Sequence, residues 1–260
     1  MKKIGIVGGV GWRSTVEYYS EICRRSEGLY LDLKDQGAPP MPEISIESLD
    51  LRTAISFLGE ENKEESWARF DEYHRNALKR LEVSGAEVAL IASNTPHHRF
   101  TAIIQGLQIP VVNIFEAAAS EGARIRARNV LILGTTLTMD SSRFRDEFAK
   151  LGLNAAGPAG EPSRAATATL IAKLQRGRIE GAANQLGAIA RDSVELQFEG
   201  NAVVCLACTE LPLAFPEFKT LSIFTYDGLT FINTTAVHVD AVLRFSAHES
   251  RTFVSGLGNS

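Results

Sequence analysis

At 260 residues the chain is longer than a typical domain, and a composition 45% hydrophobic and 22% charged suits a folded protein with a sizeable core rather than a disordered one. A formal net charge of −4, with 27 Lys and Arg scattered rather than striped, leaves no basic field for a phosphate backbone, so nucleic acid is excluded as an expected partner. Three cysteines, Cys23, Cys205 and Cys208, are too few and too unevenly placed for a disulfide framework and read as reduced thiols.

In chain order, Met1-Lys2-Lys3-Ile4-Gly5 runs straight into a strand and a glycine turn rather than a secretory apolar stretch. No apolar run reaches the ~18 residues of a membrane span, so the expectation is a soluble, cytoplasmic protein with no membrane partner. Short Val/Ile-rich runs then alternate with longer helical patterns: residues 3–7, 44–47, 88–92, 111–114, 130–133, 202–207 and, less clearly, 221–224. These runs are continuously apolar, as strands buried on both faces are, and the stretches between them are long enough for crossover helices. The expected fold is therefore α/β with mainly parallel sheets and flanking helices.

Ile4-Gly5-Ile6-Val7-Gly8-Gly9 and Val130-Leu131-Ile132-Leu133-Gly134-Thr135 both run from an apolar strand into a glycine turn, which suggests two similar halves. Each half also holds a later strand that ends in a polar cluster, Ser93-Asn94-Thr95 in one and Cys208-Thr209-Glu210 in the other. Ligands of open parallel sheets sit at the carboxyl ends of strands, where both clusters fall. The stretch from Pro162 to Phe198 reads as two helices with a break near Gly177, and the tail from Glu249 to Ser260 as a small, polar end.

Several motifs have competing readings. Gly5-Ile6-Val7-Gly8-Gly9-Val10-Gly11 fits neither G-x-G-x-x-G nor a phosphate-binding G-x-x-x-x-G-K-[ST] loop. It reads as a tight turn whose amides, followed by Ser14 and Thr15 at a helix start, suit a carboxylate. Cys205-Leu206-Ala207-Cys208 has the spacing of a redox or metal pair, but three residues along a strand point the two thiols to opposite faces. Cys205 is then a core residue. Cys208, at the strand end before Glu210-Leu211-Pro212, is placed to have its thiol pKa lowered by the amides of a following helix. His97 and His98 are adjacent and point too far apart to share one ion, so local packing is the simpler reading. His238 either reaches the site or satisfies a core carbonyl.

Read together, these pieces resemble the aspartate/glutamate/hydantoin racemase superfamily, closest to its aspartate racemase branch. The resemblance is carried by Ile6-Val7-Gly8-Gly9-Val10-Gly11-Trp12-Arg13-Ser14-Thr15 with Glu17-Tyr18-Tyr19, Ser93-Asn94-Thr95-Pro96-His97 and Leu133-Gly134-Thr135-Thr136-Leu137-Thr138-Met139. Cys208-Thr209-Glu210-Leu211-Pro212 and Thr234-Thr235-Ala236-Val237-His238 complete it. It implies two similar α/β domains, expected as residues 1–116 with 209–260 and residues 117–208, with the active site in the cleft between them. It also implies no pyridoxal phosphate, no metal and a homodimer. The implied chemistry is racemisation or epimerisation of an amino acid, in which one cysteine removes the α-proton and a second returns a proton to the opposite face.

Cys208 matches the second catalytic cysteine, and Ser93 stands where the first is expected. Gly9, Asn94, Thr95, Thr135 and Thr209 are the expected holders of the substrate α-carboxylate, and Arg52 of a side-chain carboxylate, a solvated arginine being the rival reading. A serine hydroxyl is a far weaker acid than a thiol, so the two faces of the substrate should be treated unequally. A single-cysteine decarboxylase or lyase of the same superfamily, and a binding protein for an amino acid or related carboxylate that has lost turnover, are the alternatives.

Overall fold

The structure is a computed structural model that describes residues 1–30, 39, 41–60 and 63–247. The tail from Glu249 to Ser260 lies outside the described residues. The chain divides into two compact units.

The first unit comprises Met1–Ala92, Arg99–Val112 and residues from Val239 onward. Its elements are β1 (Ile4–Gly8), α1 (Trp12–Tyr30), β2 (Ile44–Ser48), α2 (Leu51–Ser56), α3 (Ala68–Val83), β3 (Val88–Ile91), α4 (Phe100–Ile103) and β4 (Val111–Val112). The strands form a four-stranded sheet in the order β2-β1-β3-β4, every pair parallel. All residues of β1 and β3 are buried, which explains their unbroken apolar sequences. Helix α3 buries Phe70, His74, Ala77, Leu78 and Leu81, a helical spacing that gives it one apolar stripe. Arg99, only 7% exposed, donates to Asp71 at 2.7 Å and Glu64 at 2.6 Å, so its buried charge is fully paired.

The turn after β1 needs glycine. Gly9 has φ +86°, and a Cβ there would lie 2.1 Å from the Leu49 carbonyl oxygen. The backbone thus passes against its neighbour at a distance that no side chain tolerates.

The second unit comprises Ser93–His98 and Asn113–His238. It contains α5 (Ile114–Arg124), β5 (Asn129–Gly134), α6 (Thr136–Asp140), α7 (Ser142–Ala149), β6 (Asn154–Ala156), α8 (Glu161–Gln175) and α9 (Ala182–Gln197). There follow β7 (Ala202–Ala207), β8 (Ile223–Tyr226), β9 (Leu229–Asn233) and the start of α10 (Thr234–Ala247). The five-stranded sheet runs β6-β5-β7-β9-β8, with β8 antiparallel to β9 and the other pairs parallel. Helices α8 and α9 flank the break expected near Gly177, which has φ +75°. From α10, Val239, Val242 and Leu243 join Ile4, Ile6 and Leu90 in the core of the first unit.

Two features differ from the sequence expectation. Strand β6 is a short edge strand, and its Asn154-Ala155-Ala156 carries too little apolar signal to stand out. The segment of β8 and β9, expected with residues 209–260 in the first domain and with no strand at 229–233, belongs instead to the second unit, because β9 pairs in parallel with β7. Their two-residue turn, Asp227-Gly228, has positive φ at both positions, 51° and 78°, the geometry that favours Asp-Gly in a tight hairpin.

Glycine substitutions test the turn after β1. Gly85 also has positive φ, +83°, but a Cβ there would meet nothing within 4 Å. Gly85→Ala should cost only the left-handed backbone penalty, about 1–2 kcal/mol, whereas Gly9→Ala adds a collision and should destabilise more. Urea unfolding of the two variants checks this, and equal midpoint shifts would show that the approach to Leu49 is unimportant.

Candidate active site

Within the second unit, parallel pairing aligns the carboxyl ends of three strands. Gly134 of β5 is in register with Ala207 of β7, and Leu206 of β7 with Asn233 of β9. The next residue along each strand is Thr135, Cys208 and Thr234 respectively, so three chemically useful side chains begin at one edge of the sheet.

Hydrogen bonds tie the segment Ser93–His98 to this edge. The Thr234 hydroxyl donates to the Leu206 carbonyl at 2.7 Å, and the Asn94 amide Nδ2 approaches Thr234 Oγ1 at 3.5 Å. Asn94 and Thr235 are buried, and their Oδ1 and Oγ1 atoms have no hydrogen-bond partner among the described residues. Buried polar oxygens are costly when unsatisfied, so each is a candidate partner for a polar ligand group. Ser93 is half-buried in the bend directly before Asn94, and Thr95 is half-buried at the start of the 3-10 turn Thr95–Arg99.

The strand period separates the two cysteines of the C-x-x-C. Cys205 and Ala207 pack in one core cluster with Phe115 and Phe144, while Leu206 and Cys208 pack in another with Leu133, Leu211 and Phe215. The expected division of the two thiols between opposite faces is what the strand produces.

Cys208 is only 6% exposed, and its S–H donates to Glu210 Oε2 at 3.0 Å. The Thr209 hydroxyl donates to the same oxygen at 3.3 Å. Burial, and after it the negative charge of Glu210, push the Cys208 thiol well above its ordinary value. This corrects the expectation of a thiol acidified by a following helix. The element after Cys208 is only a 3-10 turn, Leu211–Ala214, preceded by an acidic side chain directed at the sulfur. The Glu210 backbone N–H does act in the expected direction but is the smallest of the influences.

Thr135 caps α6: its hydroxyl accepts from the Thr138 N–H at 3.4 Å and lies 3.0 Å from the Thr138 hydroxyl. Behind it, His98 Nε2 lies 3.2 Å from Thr138 Oγ1 and His98 Nδ1 lies 2.7 Å from Ser141 Oγ. The polar chain Ser141–His98–Thr138–Thr135 thus ends at the same strand edge. His97 turns elsewhere, with Nδ1 3.2 Å from Asn113 Oδ1 and its ring 5.5 Å from that of buried His238. The two adjacent histidines therefore serve separate packing roles, as their angular separation required.

Gly9 and Arg52 belong to the first unit. The Gly9 N–H donates to Thr15 Oγ1 at 2.8 Å, so this amide is engaged within its own turn. Arg52 is exposed in the first turn of α2, close enough to help hold the Asp50 carboxyl below its usual range, after the larger effect of the Thr53 hydrogen bonds. Glu210, read in the sequence only as part of the polar cluster after β7, and Thr235, read only within its motif, are further polar residues at this edge. The place of Glu210 two residues after Cys208 was the only sequence signal for its contact with the sulfur.

The Asp/Glu/Hydantoin racemase family model matches residues 7–242. The chain belongs to that family. Among solved structures it is similar to an aspartate racemase homologue from Pyrococcus horikoshii OT3, with 26% identity and a TM-score of 0.73, covering 95% of this chain and 100% of that one. Aspartate racemase from Picrophilus torridus shares the fold at 19% identity, with a TM-score of 0.70 and 94% of each chain covered. Glutamate racemase from Francisella tularensis, solved with D-glutamate, shares it at 15% identity, with a TM-score of 0.62 over 96% of this chain and 82% of that one. A glutamate racemase from Koribacter versatilis is 29% identical over 148 residues, 55% of this chain and 48% of that protein, so the match spans about half the length of this curated relative. Family members bearing these names are isomerases. Among the described residues, no helix of this racemase-family chain is long and apolar enough to cross a membrane.

The His98 network gives a pH prediction. Burial, and then the charge of Arg143, lower the His98 pKa from 6.5 to about 4. The unfolded chain therefore binds this proton more readily, and the stability that neutral His98 supplies is complete above pH 6.5 and lost as pH falls toward 4. The full loss is about 3 kcal/mol. Denaturant titrations between these limits should show that slope, and His98→Gln should be less stable at neutral pH but flatter. A variant as steep as the parent would place the acid sensitivity elsewhere.

Proposed function

We propose that this chain is a cofactor-independent racemase or epimerase acting at the α-carbon of an amino acid, with Cys208 as acid/base and Ser93 toward the opposite face. The observation that carries the reading is the shared strand edge, where Cys208 emerges from β7 beside Thr234 and the unsatisfied oxygens of Asn94 and Thr235 accompany it. Asn94 Oδ1 is a pure acceptor and needs a donor, which the α-ammonium of an amino acid supplies. The hydroxyls of Thr95, Thr135 and Thr209 and nearby backbone amides would hold the carboxylate and stabilise charge as the carbanion forms. In the same reading, the protein works as a cytoplasmic homodimer.

Proton transfer at the α-carbon runs through the thiol. Cys208 thiolate takes the α-proton, the electron pair is delocalised onto the substrate carboxylate, and a proton returns to the carbon. Return from sulfur regenerates the starting enantiomer, whereas return from the opposite face inverts it. Ser93 can hydrogen-bond or deliver a proton there but does not readily become the base, so the two enantiomers react unequally. A decarboxylase or lyase that uses the same thiol shares the protonation step. Its usual substrates lack the ammonium that Asn94 Oδ1 would accept, which favours the amino-acid reading.

The test supplies each enantiomer of a series of amino acids separately in heavy water and follows the α-proton by NMR. One enantiomer should exchange much faster than inverted product appears, and the other should be slow in both respects. Cys208→Ser should abolish exchange, and Ser93→Cys should bring the two rates together. Equal, rapid exchange of both enantiomers by the unaltered chain would defeat the single-thiol mechanism. Carbon dioxide release from a malonate would favour the decarboxylase, and binding without exchange the non-catalytic protein.

A further inference from the structure

The thiol that the proposed reaction needs as a base is held in the structure as a donor. Cys208 directs its S–H at Glu210 Oε2 from 3.0 Å, and Glu210, itself buried, receives the Thr209 hydroxyl on the same oxygen at 3.3 Å. Residues packed with Cys208 in its core cluster, among them Leu133, Leu206, Leu211 and Phe215, are apolar. The charge acting on the sulfur is that of Glu210. A carboxylate facing a thiol favours the protonated sulfur, and an apolar wall favours it further.

We propose that Glu210 is the positioning residue for Cys208: it keeps the sulfur in its thiol form at rest and accepts the thiol proton when the sulfur turns to the substrate. The inference rests on the amino-acid racemase reading for its catalytic consequence, though not for the pairing of the two groups. In the first step the S–H bond breaks and an O–H bond forms on Glu210 Oε2, so negative charge moves from the carboxylate to sulfur. In the second, the thiolate takes the α-proton and its electron pair stays on the substrate. Sulfur and Glu210 then hold one proton each. Return of the sulfur proton to carbon, followed by transfer from Glu210 back to sulfur, restores the start with nothing oxidised or reduced.

The arrangement has a cost and a gain. Thiolate is scarce at neutral pH, but a thiolate formed beside a neutral carboxyl in an apolar setting is a strong base, which suits a weakly acidic C–H bond. Glu210 also supplies a short path by which deuterium from solvent reaches the sulfur. The Thr209 hydroxyl fixes the carboxyl plane by binding the oxygen that faces the thiol.

The test has one readout that requires no turnover. The ultraviolet absorbance of the Cys208 thiolate, taken as the difference between the full chain and Cys208→Ser across pH, gives the ionisation midpoint directly. It should lie above 9 in the parent. In Glu210→Gln, with the charge removed, it should fall by on the order of one pH unit or more. A midpoint that stays or rises in the variant overturns the pairing, whatever the chain catalyses.

The second readout is α-proton exchange with the preferred enantiomer. Although Glu210→Gln holds more thiolate at neutral pH, it should exchange roughly tenfold slower or worse, because the proton acceptor is gone. The loss should fall on kcat rather than KM, and Glu210→Asp should recover part of it. Exchange that speeds up in step with the added thiolate would overturn the relay role and leave Glu210 as a mere suppressor of ionisation. If the parent exchanges no amino acid, the catalytic reading fails and the absorbance shift still decides the pairing.

Discussion

The parallel pairing of β7 between β5 and β9 is the constraint on which the candidate site depends. Because Gly134 stands opposite Ala207 and Leu206 opposite Asn233, the three strands end nearly level. A slip of one residue would move every side chain of a strand to the other face. It would reverse the faces on which Cys205 and Cys208 lie, turning the second thiol toward the cluster of Phe115 and Phe144 and the first toward the other cluster. The register is fixed on both faces by buried side chains, including Leu131, Leu133, Val204 and Phe231 in one cluster and Val130 and Ile132 in the other. The position of the Cys208 sulfur is therefore set by aliphatic packing several residues away.

Polar groups then refine what the strands place roughly. The Thr234 hydroxyl closes onto the Leu206 carbonyl, and Asn94 reaches Thr234, so the bend after β3 is tied to the ends of β7 and β9 by side chains rather than by sheet pairing. A second chain runs from Ser141 through His98 and Thr138 to Thr135. In both chains each hydroxyl is buried or half-buried and its direction is fixed by a neighbour, so the remaining hydrogen-bonding capacity points in a defined direction. The unsatisfied Asn94 and Thr235 oxygens stand out against this thorough pairing.

The electrostatics of the site run against the usual picture of an activated cysteine. Low thiol pKa values come from helix amides or nearby cations. Here the sulfur faces a carboxylate and an apolar wall, and the turn that follows it is too short to supply a strong dipole. What such a setting gives is basicity in the ionised form.

Much of this was legible in the sequence. Unbroken apolar runs such as Ile4-Gly5-Ile6-Val7 and Val203-Val204-Cys205-Leu206 determined a parallel α/β protein, and the period of two determined that Cys205 and Cys208 must part. The ordered motifs around Ser93, Thr135, Cys208 and Thr234 carried the resemblance to the racemase family, and their position at or next to strand ends marked where a ligand site is expected. Other features were decided only by tertiary structure. Strand β9 pairs with β7 and so joins the second unit, since hydrogen-bond partners distant in sequence are chosen by packing. Amide N–H groups after a strand suggested an acidified thiol, yet the side chain of Glu210 folds back onto Cys208 and reverses the sign. Local sequence fixes which groups lie near a residue along the chain, but the direction in which a side chain points, and the burial that magnifies its charge, follow from the packing of the whole unit.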